Sequence, residues 1–210
     1  MSMERIETII CPKCGQENKI IVWDSLNGDL DPEAKEKLLN GTLFRFKCTK
    51  CGYESNVEYN LLYHDMKNNV MVYLVHPDVV DKTIQEMINL EKTLPVKMRG
   101  YKKRVVCDQN ELREKAIIFD NGLDDRVVEI IKFIYLIKVQ QQFPEKVIEA
   151  VYMMFSDEKM TLHFFMGETK VIDIPKELYD GICKDFEEKL KEVGDSDFIV
   201  NINWVKKILS

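Results

Sequence analysis

The chain has 210 residues, 45% apolar and 31% charged, with a formal net charge of −6. That length suits one domain plus a small module, and so ordinary a composition, with only 9 Gly and 6 Pro, excludes a disordered or low-complexity chain. The excess of acid, 36 Asp and Glu against 30 Lys and Arg, argues against a protein whose main business is neutralising phosphates.

The first ten residues, MSMERIETII, carry charges at Glu4, Arg5 and Glu7 and no apolar run of signal-peptide length. The expected location is therefore the cytoplasm. A reducing compartment disfavours a disulfide framework, so the six cysteines are expected as thiols or metal ligands.

Next comes CPKCGQENKI at 11–20, which returns at 48–57 as CTKCGYESNV. Cys11, Cys14, Cys48 and Cys51 thus form two Cys-x-x-Cys pairs, each followed by glycine, Gly15 and Gly52. A two-residue gap lets a tight turn present two sulfurs to one tetrahedral ion, and the glycine permits the positive φ such a turn often needs. Each knuckle supplies half a tetrahedron, so all four cysteines are the expected metal ligands. Lys13 and Lys50, one in each knuckle, offset the negative charge of a four-thiolate centre. Redox dithiols are a poorer reading, because both pairs lead into strand-type sequence instead of a strand-to-helix junction. A rubredoxin-like Fe(Cys)4 site stays open beside Zn2+, although the order of the two knuckles is the reverse of the rubredoxin order.

Between the knuckles lie 33 residues, more than the roughly 15–20 of the commonest spacing. DLDPEAKEKLLNGT predicts a short helix there, with Asp31 as N-cap, Pro32 in the first position, Glu33 near the positive end of the dipole and Gly41 as the stop. Strands are expected near 19–24 and 42–47, and VEYNLLYHD with VMVYLV reads as a hairpin turning at 66–69. Residues 1–76 are then a small β-rich ribbon held by metal, as a core of that size often must be.

Residues 77–210 are expected to form an α+β domain. Val80, Ile84, Met87 and Ile88 predict a helix from about 78 to 94, with Asp78 and Asp81 as a capping pair. VKMRGYKKRV holds Lys97, Arg99, Lys102, Lys103 and Arg104 and reads as a solvated loop running into an edge strand, in preference to an anion or nucleic-acid contact. Asp108 and Glu111 open a further helix, 120–122 turns the chain, and Asp124 and Asp125 start a long apolar helix to about 141. Its most apolar part, 127–139, is too short for the roughly 20 residues that span a bilayer. Three apolar runs between 150 and 174 predict an antiparallel three-stranded meander. Pro175 then opens a helix marked by Leu178, Ile182, Phe186 and Leu190 that ends near Gly194, and FIVNINWVKKIL closes the chain as a strand or short helix.

Catalytic chemistry is thinly supplied. His64, His76 and His163 are the only histidines, and no phosphate loop or nucleophile elbow occurs. His163 reads as a structural histidine in a strand, and His64 with Asp65 as a turn-stabilising pair, a substitute ligand or a base. Cys107 and Cys183 read as ordinary half-buried thiols, while Asp120, Asp124, Asp125 and Arg126 are explained by helix capping more simply than by a cleft.

With Cys11-Pro12-Lys13-Cys14, VWDSLNGDLDPEAKEKLLNG, FKCTKCG and VEYNLLYHDM in this order, the first 76 residues resemble the bacterial CpXC protein domain. IIFDNGLDDRVVEIIK resembles the tail often attached to it. The resemblance implies a zinc-binding domain in a bacterial cytosolic protein and supports the four cysteines as ligands; that family has no known function, so it implies no reaction. The reading is a non-enzymatic interaction or adaptor protein with a structural zinc ion, expected to meet a protein partner or its own copy and no membrane. Three alternatives stay open: electron transfer through iron, an enzyme whose site lies around His64, His163 or the Asp124 to Arg126 group, and binding of single-stranded nucleic acid by Trp23, Phe44, Arg45, Phe46, Lys47, Tyr53 and Tyr59.

Overall fold

The computed structural model describes residues 2–92, 100–156 and 159–210. The expected features at Lys97 and Arg99, at the last residues of the 78–94 helix and at the tip of the first meander turn lie outside these. The described chain is α+β, with seven α-helices among the described residues, and it divides into two compact units, Met1–Arg113 and Glu114–Ser210.

In the first unit, β1 (Met3–Ile10) and β2 (Glu17–Asn27) form an antiparallel hairpin whose tip is the first knuckle. Helix α1 (Pro32–Leu39) follows, burying Ala34 and Leu38 one turn apart. It begins and ends where Pro32 and Gly41 predict, but Asp31 does not cap it: the Asp31 carboxylate accepts from the Ser2 hydroxyl instead. A second, shorter hairpin of β3 (Arg45–Lys47) and β4 (Glu54–Asn56) carries the second knuckle. The predicted 66–69 turn joins β5 (Leu61–Asp65) to β6 (Val70–Leu74).

A short 3-10 turn, Pro77–Val79, leads into α2 (Val80–Glu91). Neither Asp78 nor Asp81 caps these turns; His76 Nδ1 accepts from the Asp78 amide. The chain then adds β7 (Lys102–Val106) parallel to β6, completing a sheet of order β1-β2-β5-β6-β7. This pairing explains why the compact unit runs to Arg113, whereas the sequence pattern divides at residue 76: β7 lies beyond that point but takes its hydrogen bonds from β6.

The β2–β5 and β6–β7 pairs are both parallel, and each needs a crossover. The first crossover holds α1 and the whole second knuckle. The interior includes Val22, Leu26, Leu38, Leu61, Tyr63 and Val72. Within the basic cluster Lys103 and Arg104 are buried, Arg104 completely, so the solvated reading fails for those two. Helix α3 (Gln109–Asp120) crosses from one unit to the other. Asp108 Oδ1 accepts from the Asn110 and Glu111 amides while Glu111 reaches back to the Cys107 amide at 3.2 Å, close to the predicted capping box.

The second unit is built on α4 (Asp125–Gln142), capped by Asp124, which accepts from the Arg126 amide. Val127, Val128, Ile130 and Ile131 are buried, and the helix packs against α5 (Lys176–Asp185), α7 (Ile202–Leu209) and β8 (Ala150–Ser156). β8, β9 (Lys159–Phe165) and β10 (Thr169–Ile174) make the predicted antiparallel meander. The single helix expected after Pro175 is two, α5 and α6 (Glu187–Val193), broken at Phe186 where φ and ψ are −104° and 7°. The ambiguous C-terminal segment is a helix because Asn201 Oδ1 accepts from the Asn203 and Trp204 amides and caps it.

Five charged side chains lie buried between α3 and α4. Lys115 Nζ donates to Asp125 at 2.9 Å, to Glu129 at 3.4 Å and to the Val200 carbonyl at 2.8 Å. Lys132 Nζ donates to Glu114 at 2.8 Å and to Glu129 at 3.0 Å. Burial pushes the Glu114 carboxyl up, helped by the charge of Glu129 and opposed by Lys132 and Lys115.

Candidate metal centre

The doubled word of the sequence is a doubled set of hydrogen bonds. In the first knuckle the Cys11 amide donates to the Gln16 carbonyl and the Gly15 amide to the Cys11 carbonyl, both at 2.9 Å. In the second the Cys48 amide donates to the Tyr53 carbonyl at 2.8 Å and the Gly52 amide to the Cys48 carbonyl at 3.0 Å. Gly15 and Gly52 share the same left-handed φ, 69°. Each knuckle is the turn of a hairpin, which fixes the direction of its two sulfurs.

The two turns bring all four sulfurs within 4.8 Å of one another. Cys11 and Cys51 are 3.6 Å apart, as are Cys14 and Cys48. A tetrahedral ion with bonds of about 2.3 Å requires roughly 3.8 Å between sulfurs, so the cage matches such an ion closely. It is far too open for disulfides, and all six cysteines of the chain are free. Cys11 and Cys48 are buried and pack with Phe46 over Ile9, Ile20, Tyr53 and Val57. Four cysteines this close can hold a metal ion.

Two of the four thiols are shifted in opposite directions. Backbone amides of Cys51 and Lys50 aimed at Cys48 outweigh its desolvation and bring its thiol down to about 6. At Cys14 the Gln16 backbone contact lowers the thiol, but burial and the neighbouring cysteines prevail and push it up to about 12. Lys13 and Lys50 are exposed beside the centre.

Asn18, which sequence reasoning missed, joins the two knuckles. It is buried, and its amide donates to the Gln16 carbonyl at 2.8 Å and approaches Cys48 Sγ at 3.7 Å. Its carbonyl oxygen accepts from both the amide and the hydroxyl of Thr49 at 2.9 Å. The signal that could have found it is the contrast between Pro12 and Thr49 at matching positions. Proline has no amide to satisfy, whereas Thr49 does, and Asn18 supplies the acceptor.

The remaining candidates stand apart from this cluster. His64 is half-buried on β5; the Asn27 side-chain amide lies 3.5 Å from its Nδ1, and its ring packs on Tyr101 with centroids 5.2 Å apart. Burial, more than any neighbouring charge, lowers its pKa. Asp65 turns away to accept from the amide and side chain of Asn68. His163 pairs with the Thr161 hydroxyl at 3.1 Å. Arg126 is forked onto Asp124 and also donates to the Leu190 and Gly194 carbonyls, so this group ties helix ends together. Phe44 and Phe46 are interior, with Phe44 packed on Tyr59 at 4.9 Å. No described helix is long and apolar enough to cross a membrane.

A family model described as CpXC protein matches residues 9–132, more than half of the chain. The chain belongs to the CpXC family. The Cys-Pro-x-Cys that opens a CpXC domain is here the first half of the four-sulfur cage. The CpXC match continues through the second knuckle, β7 and α3 to Lys132, and so includes IIFDNGLDDRVVEIIK. No curated protein and no solved structure matches the chain.

Proposed function

We propose that this CpXC protein is a non-enzymatic interaction or adaptor protein of the bacterial cytoplasm, held in shape by one structural zinc ion on Cys11, Cys14, Cys48 and Cys51. The observation that carries the reading is the closed donor set: four thiols at tetrahedral spacing supply every bond the ion needs and leave no position for water or substrate. Such an ion contributes folding free energy and no turnover. Free cysteines in both units suit a reducing compartment.

The test is elemental analysis of the purified protein with a visible spectrum of the same sample. One zinc per chain and no colour is the expected result. Stoichiometric iron with a red chromophore would overturn it in favour of rubredoxin-like electron transfer, which the same sulfurs and amide contacts could also serve. Salt-sensitive binding of single-stranded nucleic acid would instead favour the ribbon's aromatic and basic residues as a docking surface.

A further inference from the structure

The two outer strands of the five-stranded sheet are finished differently. β7 is closed in, with Lys103, Arg104, Val105 and Val106 all buried. Among the described residues β1 is the opposite edge, and all of its residues except Ile9 are exposed. One side of its backbone pairs with β2. The other carries a row of N–H and C=O groups, a template for a further strand. Ile6 stands opposite Ile21 on one face, 70% and 55% exposed, with Ile10 on the same side of the strand.

The order of charges decides which strand fits. Edges commonly carry charges that repel a pairing strand, and Glu4, Arg5 and Glu7 resemble such guards. When an antiparallel strand pairs with its own copy, the two-fold axis sets one residue opposite itself. Centred on Arg5 or on Glu7, that axis brings two like charges face to face, which is unfavourable. Centred on Ile6, it places Ile6 against Ile6, Arg5 against the second copy's Glu7, Glu7 against the second copy's Arg5, and Glu4 against Thr8. Both charge pairs are then satisfied, and the Ile21 and Ile6 stripe continues unbroken into the second copy. The register complementary to a second copy spans residues 4–8; at its N-terminal end the β1–β2 pairing shifts between Met3 and Glu4, where Asp24 of β2 is the extra residue. Within its own chain Arg5 already lies beside Glu7 and 2.9 Å from Asp24, so its guanidinium is held in place at this edge.

We infer that the chain forms a two-fold dimer in which β1 pairs antiparallel with β1 of a second copy, centred on Ile6, joining two sheets into one. This deepens the interaction reading and rests on it, while being independent of which metal the cysteines hold.

The test is sedimentation velocity of the full chain, with metal content read on the same samples. The wild-type protein is expected to be dimeric. Arg5→Glu sets carboxylate against carboxylate at both flanking pairs, Glu7→Arg sets guanidinium against guanidinium there, and each should weaken the dimer on the order of thirtyfold. An equimolar mixture of the two variants should dimerise again, because each strand then meets the opposite charge at both positions. A monomeric wild type, variants that stay fully dimeric, or a mixture that stays monomeric would overturn the inference. Zinc retained by monomers would leave the metal reading intact, and a dimer without metal would remove that reading alone.

Discussion

Replacing Asn18 by alanine removes the link between two knuckles without touching a sulfur. The side chain makes three hydrogen bonds of normal length, to the Gln16 carbonyl and from the amide and hydroxyl of Thr49, besides its approach to Cys48. At about 1 kcal/mol net for each, the loss is roughly 2–3 kcal/mol, with the exposed Thr49 hydroxyl able to recover part from water. Loss of such an outer partner costs a metal site about tenfold to a hundredfold in affinity, which spans a similar range of free energy. Competition against a chromophoric chelator should therefore show Asn18→Ala binding zinc at least tenfold more weakly, with a lower melting temperature of the zinc-loaded protein. Ser55, which occupies the equivalent place in the second knuckle, makes none of the described contacts with the centre, and Ser55→Ala should stay within about threefold. If Asn18→Ala binds zinc as tightly as Ser55→Ala, the account of how the knuckles are joined is refuted.

Gly15→Ala and Gly52→Ala should destabilise the zinc-loaded protein by about 1–2 kcal/mol each, and by similar amounts, because both hold φ near 69° and neither added methyl meets an atom within 4 Å. Thermal melts of the two variants check this, and a much larger cost for one would mean that the knuckles are not equivalent. Lys132→Met leaves Glu114 without its lysine and Glu129 with Lys115 alone, and should cost about 3–5 kcal/mol by denaturant unfolding; adding Glu114→Gln, which removes the unpaired charge, should recover part of the loss. Glu114 has its carboxyl raised by burial, so at pH values between its unfolded and folded ranges it takes up a proton on folding. Its contribution is complete below the ordinary carboxylate range, about 4.3, and is lost as pH rises through the elevated folded value. Stability measured against pH should lose that slope in Glu114→Gln; an unchanged slope would assign it to another group.

The four-cysteine cluster was legible because its constraints are local and repeated. A Cys-x-x-Cys-Gly turn needs little beyond its own hydrogen bonds, so the paired words at 11 and 48 predict paired geometry. Strands β2, β5 and β6, helix α4 and the meander announced themselves through apolar period and turn residues. β1 did not, because an edge strand with both faces in water has no buried face to impose alternation. The place of β7 was hidden for another reason: parallel pairing with β6 depends on a crossover, and no local residue pattern records which strand will be the neighbour. Arg104 shows the limit of reading charge as exposure, since a basic cluster entering a strand put one guanidinium wholly inside. The break at Phe186 was masked by apolar residues that keep helical spacing across both α5 and α6.

The knuckles sit on two separate hairpins, each closed over a short span of chain, while the sulfurs they bring together lie 34 and 40 residues apart in sequence. Hairpins form in about 1–10 μs, and extending a loop several-fold adds only a modest closure cost. Each turn can therefore be ready before the long-range parallel ladders that slow folding are in place. On the proposed reading, an ion captured by the first pair of cysteines would wait for the second, whose arrival would draw together the ends of the segment that must cross from β2 to β5. Metal supply would then set the rate at which newly made chains mature as well as the stability they reach.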